Sequence, residues 1–188
     1  TRSGGLKTPN TITFNVSLAD QNGMKFQGTV CNKRGTCYLN VLGPFVGEDR
    51  YYDNLTYALS PDFPKGVQNY VADSTPPVID SFEFSLNAGT IIFQLNEPVD
   101  LASVDTGKIA FVHPGFPDRL QVTGGSYLPT NVSMELIVTL TSKGLNDLKI
   151  SDILVDNATT TFLDLAEGLE RDVAGTRNPS EVYTAFAG

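Results

Sequence analysis

Residues 71–80, VADSTPPVID, decide how the chain divides. Pro76 and Pro77 each fix φ and withhold an N–H, and Thr75, standing before a proline, is pushed toward an extended shape. The stretch therefore reads as a short stiff rod, and the sequence on both sides of it alternates apolar and polar residues with the period of a β-strand. A chain of 188 residues can supply two modules of roughly 75 to 110 residues, each with its own core. The expectation is an all-β protein: two tandem antiparallel β-sandwiches, residues 1–74 and 75–188, joined end to end by the Pro-rich linker at 73–77.

Working outward, the first segment alternates near 11–18, 24–31, 36–42, 51–59 and 67–72, separated by turn clusters such as Asp-Gln-Asn-Gly and Asn-Lys-Arg-Gly. In TITFNVSL, Ile12, Phe14, Val16 and Leu18 form the expected inward row. The second segment alternates near 78–86, 90–96, 108–113, 119–125, 133–141, 160–165 and 180–187. Phe82/Phe84/Leu86, Ile91/Phe93/Leu95 and Met134/Leu136/Val138/Leu140 are its expected core rows. Only 142–157 carries a helical pattern, and short turns would serve there as well. Strand spacing of roughly 8 to 12 residues fits a sandwich and argues against a parallel α/β sheet.

The charge is unevenly placed. Residues 1–74 hold seven Lys or Arg against six Asp or Glu, and residues 75–188 hold six against fifteen, so the net −8 lies entirely beyond the linker. An acidic surface repels phosphate backbones, which excludes nucleic acid as a partner. No run of 18 apolar residues is present to cross a bilayer. The N-terminal TRSGGLKTPN has neither an initiator Met nor the layout of a signal peptide, which suggests a mature chain or a piece of a longer one.

Cys31 and Cys37 flank the turn residues Asn32 to Gly35. Read as a hairpin, VCNKRGTCY sets the two sulfurs opposite each other near its mouth, within bridging distance; the alternative is a pair of free thiols packed in the sheet. An oxidised pair implies a secreted or cell-surface protein. Four N-glycosylation sequons begin at Asn15, Asn54, Asn131 and Asn157 and point to the same compartment.

Three phrases in order, DSTPPVIDSF (73–82), GTIIFQLNEPVDLASV (89–104) and LDLAEGLERDVAGTRNP (163–179), resemble the landmarks of bacterial Ig-like or cadherin-like repeats found in tandem in surface-layer proteins and adhesins. The resemblance covers mainly residues 73–178, and Thr176 stands where the pattern has Asn. It implies sandwich modules that bind Ca²⁺ where one meets the next. By position in the motifs the ligand candidates are Asp73, Glu97, Asp100 and Asp172; the alternative is that these carboxylates cap turns and face solvent.

His113 is the one histidine and ends a strand before Pro114, and no Gly-rich loop follows a strand to cradle phosphate. Nothing here builds a nucleophile, base and orienter, so an enzyme is not expected. Tyr51, Tyr52, Tyr57 and Tyr70 crowd the end of the first segment and form a possible ligand platform, although Trp, the best stacking residue, is absent. The expected function is a rigid spacer or adhesion unit of a larger extracellular glycoprotein, with neighbouring domains, other surface glycoproteins or glycans as partners. The alternative is a carbohydrate- or protein-binding module acting through the first segment.

Overall fold

A computed structural model describes residues 13–40, 64–127, 132–151, 154–155, 157, 159–174 and 177–187. The expected strand at 51–59 and residues Tyr51, Tyr52, Tyr57, Asn54 and Asn131 lie outside them.

The first segment corrects the strand expectations. Residues 13–17 and 28–31 form no strand, and Leu18–Gln27 form a helix, α1, between and into the stretches 11–18 and 24–31 that alternate like strands. Its ends explain it. Ser17 takes an extended conformation and its hydroxyl accepts the Asp20 N–H at 3.1 Å, Asp20 supplies negative charge in the first turn, and Gly28 closes the helix with φ 64. Only Asn22 of α1 is buried. Phe14, Val16 and Leu18, expected to face a core, are 59, 49 and 64 % exposed.

Downstream, Cys31 and Cys37 form the expected disulfide, but not within a hairpin. A 3-10 turn at Arg34–Thr36 brings them together, with the Cys31 N–H donating to the Thr36 carbonyl at 3.0 Å. Two-residue strands β1 (Tyr38–Leu39) and β2 (Lys65–Gly66) pair antiparallel. Residues 67–72 are not a strand.

The second segment follows its alternation closely. It contains β3 (Ile79–Ser85), β4 (Thr90–Asp100), β5 (Ile109–Val112), β6 (Arg119–Gln121), β7 (Gly125–Tyr127) and β8 (Val132–Leu140), then α2 (Ser142–Ile150), β9 (Phe162–Leu165), β10 (Arg171–Asp172) and β11 (Tyr183–Ala187). The strand expected at 119–125 is two: the chain turns at Gly124, φ 73, and β6 and β7 join different sheets. One sheet runs β10-β4-β8-β7, with β3 also paired to β4; the other runs β11-β9-β5-β6. Every ladder is antiparallel.

The two sheets pack face to face. Ile79, Phe82, Ile91, Phe93, Leu95, Leu136 and Val138 from one meet Ile109, Phe111, Leu163 and Leu165 from the other. Rings cross between the sheets, Phe84 on Phe111 at 5.0 Å and Phe82 on Phe186 at 5.7 Å. Each such side chain stabilises the fold by roughly 1.5–3 kcal/mol relative to exposure. Among the described residues, all members of the buried apolar cluster lie between Ile79 and Leu169, so the described core belongs to the second segment. α2, capped by Thr141, adds Leu148 at the sandwich end.

One irregularity positions the site. Gln94 pairs with Glu135 and Val99 with Ser133, so β4 advances five residues while β8 advances two. The three extra residues form a bulge that breaks the in-out alternation, and Leu95, Glu97, Pro98 and Val99 are all buried. Beyond the bulge β4 pairs with β10, setting Val99 opposite Asp172.

Candidate functional site

Three of the four carboxylates singled out in the sequence converge. Oxygens of Asp73, Glu97 and Asp172 lie within 4.8 Å of one another. Asp73 comes from the end of the first segment, Glu97 from the β4 bulge and Asp172 from β10. Asp100 does not join them: its carboxylate accepts the Ala102 N–H at 3.0 Å and pairs with Arg177.

Two residues that the sequence did not mark complete the group. Lys25, in the last turn of α1, places Nζ 2.6 Å from Asp73 Oδ2 and also hydrogen-bonds Glu97 Oε2. Asn178 is the other. Its Nδ2 donates to Asp172 Oδ2 at 2.9 Å, to the Asp73 carbonyl at 3.2 Å and to the Thr75 carbonyl at 3.3 Å, while its backbone N–H donates to Asp172 Oδ1 at 2.8 Å. Asp73 also caps its own turn, accepting the Thr75 N–H at 2.9 Å. Asn178 follows Thr176, the position singled out in the closing phrase, by two residues. Nothing in the local pattern signalled Lys25, whose partners lie 48 and 72 residues along the chain.

Burial and bonding push the carboxyls apart. Burial alone would raise Asp73, but its bonds from Lys25 and Thr75 override that and hold it below the ordinary value. Burial raises Asp172, with the Asp73 charge adding to the effect, and the Asn178 bonds only partly oppose it. Nearby Glu170, fully buried, is pushed from 4.5 up to about 7 by burial.

The donor set suits a hard divalent cation. All candidate ligands are oxygens, and an ion with bonds of about 2.3–2.6 Å can bridge atoms that far apart. Glu97, 4 % exposed, has one oxygen, Oε1, with no hydrogen-bond partner. Among the described residues, Lys25 is the one cation paired with this cluster, and its pairs are with Asp73 and Glu97. The residues present therefore fit Ca²⁺, with Asp73, Glu97 and Asp172 as the holders.

The remaining candidates stand apart. Asn15 and Asn157 are exposed, as an acceptor for a glycan must be. The Asn157 side-chain oxygen accepts both the N–H and the hydroxyl of Thr159, the third sequon residue, at 2.9 and 2.5 Å. Tyr70 is half-buried and its hydroxyl donates to the Cys31 carbonyl at 3.2 Å, so it braces the disulfide loop. His113 packs edge-on against Phe116 with ring centroids 4.6 Å apart and Nδ1 3.0 Å from the Pro114 carbonyl. No helix among the described residues is long and apolar enough to cross a membrane. No family model matches the chain, and neither a curated protein nor a solved structure matches it.

Proposed function

We propose that the chain is an extracellular structural module of a larger repeat-containing surface glycoprotein, a spacer or adhesion unit whose joint at residues 73–77 is kept stiff. On this reading the second segment is an Ig-like sandwich, the first segment is its neighbour, and Asp73, Glu97 and Asp172 hold Ca²⁺ where the two meet. The ion neutralises carboxylates that otherwise repel and ties the Asp73 end of the joint to β4 and β10.

The observation that carries this reading is the fastening of the joint from both sides. Asn178, from the segment after β10, grips the backbone carbonyls of Asp73 and Thr75, and Lys25, from α1, grips the Asp73 carboxylate. Two prolines and a capped turn in between leave little freedom. A linker between independently moving domains has no need of such ties. The disulfide and the exposed Asn15 and Asn157 agree with an extracellular setting.

Backbone ¹⁵N relaxation tests the stiffness. The reading expects order parameters at residues 73–75 near those of β4, about 0.85. Values below about 0.6 there describe a loose tether and would remove the case for a spacer.

A further inference from the structure

We propose that Lys25 and a divalent cation are alternative occupants of the Asp73–Glu97–Asp172 pocket, so that cation binding detaches α1 from the sandwich. The inference rests on the cation reading of the pocket given above and adds its regulation.

The first ground is position. Nζ of Lys25 sits between Asp73 Oδ2, at 2.6 Å, and Glu97 Oε2. An ion bonded to those same oxygens at about 2.3–2.6 Å would have to stand where the ammonium stands, and two cations in contact repel. The second ground is incomplete satisfaction. The ammonium leaves Glu97 Oε1, a buried oxygen, without a donor, and it offers at most three N–H bonds. A Ca²⁺ ion takes about six to eight oxygens and can engage all three carboxylates together. The lysine is thus a serviceable but inferior counter-ion for this pocket.

The third ground is how little else holds the helix. Asn22 is the one buried residue of α1; its Nδ2 donates to the Asn96 carbonyl at 3.2 Å and approaches Met134 Sδ at 3.8 Å. Of the large apolar side chains of α1, Leu18 and Phe26 are 64 and 45 % exposed and Met24 is half-buried, so none is fully buried. Among the described residues, the Lys25 ion pairs are therefore the main charged ties of α1, one to Glu97 of β4 and one to Asp73. A cavity of about 330 Å³, bordered by Lys25, Asp73, Tyr70 and Val173, adjoins the pocket and gives an ion a way in. Because the two cations exclude each other, their affinities are linked: whatever weakens the lysine strengthens the metal.

Calorimetric titration of the full 188-residue chain with Ca²⁺ alone tests this. Lys25→Met is expected to bind Ca²⁺ about ten-fold more tightly than the unaltered chain, equivalent to about 1.4 kcal/mol, while Lys25→Arg, which keeps the charge, stays near the parent value. Binding detectable only in Lys25→Met is the extreme of the same result. In the unaltered chain, Ca²⁺ is expected to speed amide exchange across 18–27 and leave β4 and β8 protected; this measurement stands even where a Lys25 variant fails to fold. Ca²⁺ binding that is equal or weaker in Lys25→Met, or α1 amides that exchange more slowly with Ca²⁺, overturns the exchange while leaving the cation site intact. No Ca²⁺ binding by the unaltered chain or by folded Lys25→Met overturns both.

Discussion

Glu170→Gln should reverse a pH-dependent weakness in the sandwich. Glu170 has no exposed surface, and neither carboxyl oxygen has a hydrogen-bond partner. Burial lifts it from 4.5 in an ordinary setting to about 7. The folded state thus keeps a proton that the unfolded chain has released, and stability is highest below pH 4.5. It declines as pH rises and is fully lost for this group above about pH 7. The gap between 4.5 and about 7, at about 1.36 kcal/mol per pH unit, makes the loss about 3 kcal/mol. Glutamine keeps the shape of the protonated acid and cannot ionise. Urea unfolding at pH 4, 6 and 8 should therefore find the variant about equal to the parent at pH 4 and about 3 kcal/mol more stable at pH 8. Asp172, also raised by burial, adds a pH dependence of its own, but it is common to both proteins and cancels in the difference between them. A difference independent of pH would refute the assignment, because it would mean that the folded state does not hold Glu170 protonated.

Three further outcomes follow from the packing and the bonds. Asn178→Ala removes the amide that ties Asp73 and Thr75 to Asp172 and should cost about 1–3 kcal/mol in urea unfolding, with exchange at residues 73–75 rising as well. Phe93, fully buried against Phe82 at 6.2 Å, should cost roughly 3–5 kcal/mol when replaced by alanine, read by the shift in denaturation midpoint. Replacing Cys31 and Cys37 by serine opens a loop of sequence separation 6 worth about 2 kcal/mol by chain entropy; amide exchange should rise at 28–39 while the sandwich, whose core contains neither residue, keeps its melting temperature.

The strands of the second segment were legible because each has one face in a core. Phe93 and Leu95, or Leu136 and Val138, are buried every second residue, and that burial is what the alternation records. The same rule misled in the first segment. Phe14, Val16 and Leu18 alternate without a core to face, while Ser17 and Gly28, ten residues of helix apart, carry the decisive caps. The bulge at 96–98 hid from the pattern since it replaces alternation with a run of buried positions, one of them charged. As for the site, motif position found Asp73, Glu97 and Asp172, whose places follow from local chain order within the sandwich. It over-reached at Asp100, which the bulged register turns toward Arg177. Lys25 was beyond reach, since its meeting with Glu97 depends on how α1 settles against a strand 72 residues away.

Melting the intact chain in EGTA and in CaCl₂ probes the cation-fixed joint most directly. Ca²⁺ at a hundred times its dissociation constant contributes about 2.7 kcal/mol, or roughly 5–10 °C for a chain of this size, and Glu97→Gln or Asp172→Asn should abolish the gain. Melts that superimpose with and without Ca²⁺, in the intact chain and in Lys25→Met alike, would contradict the account.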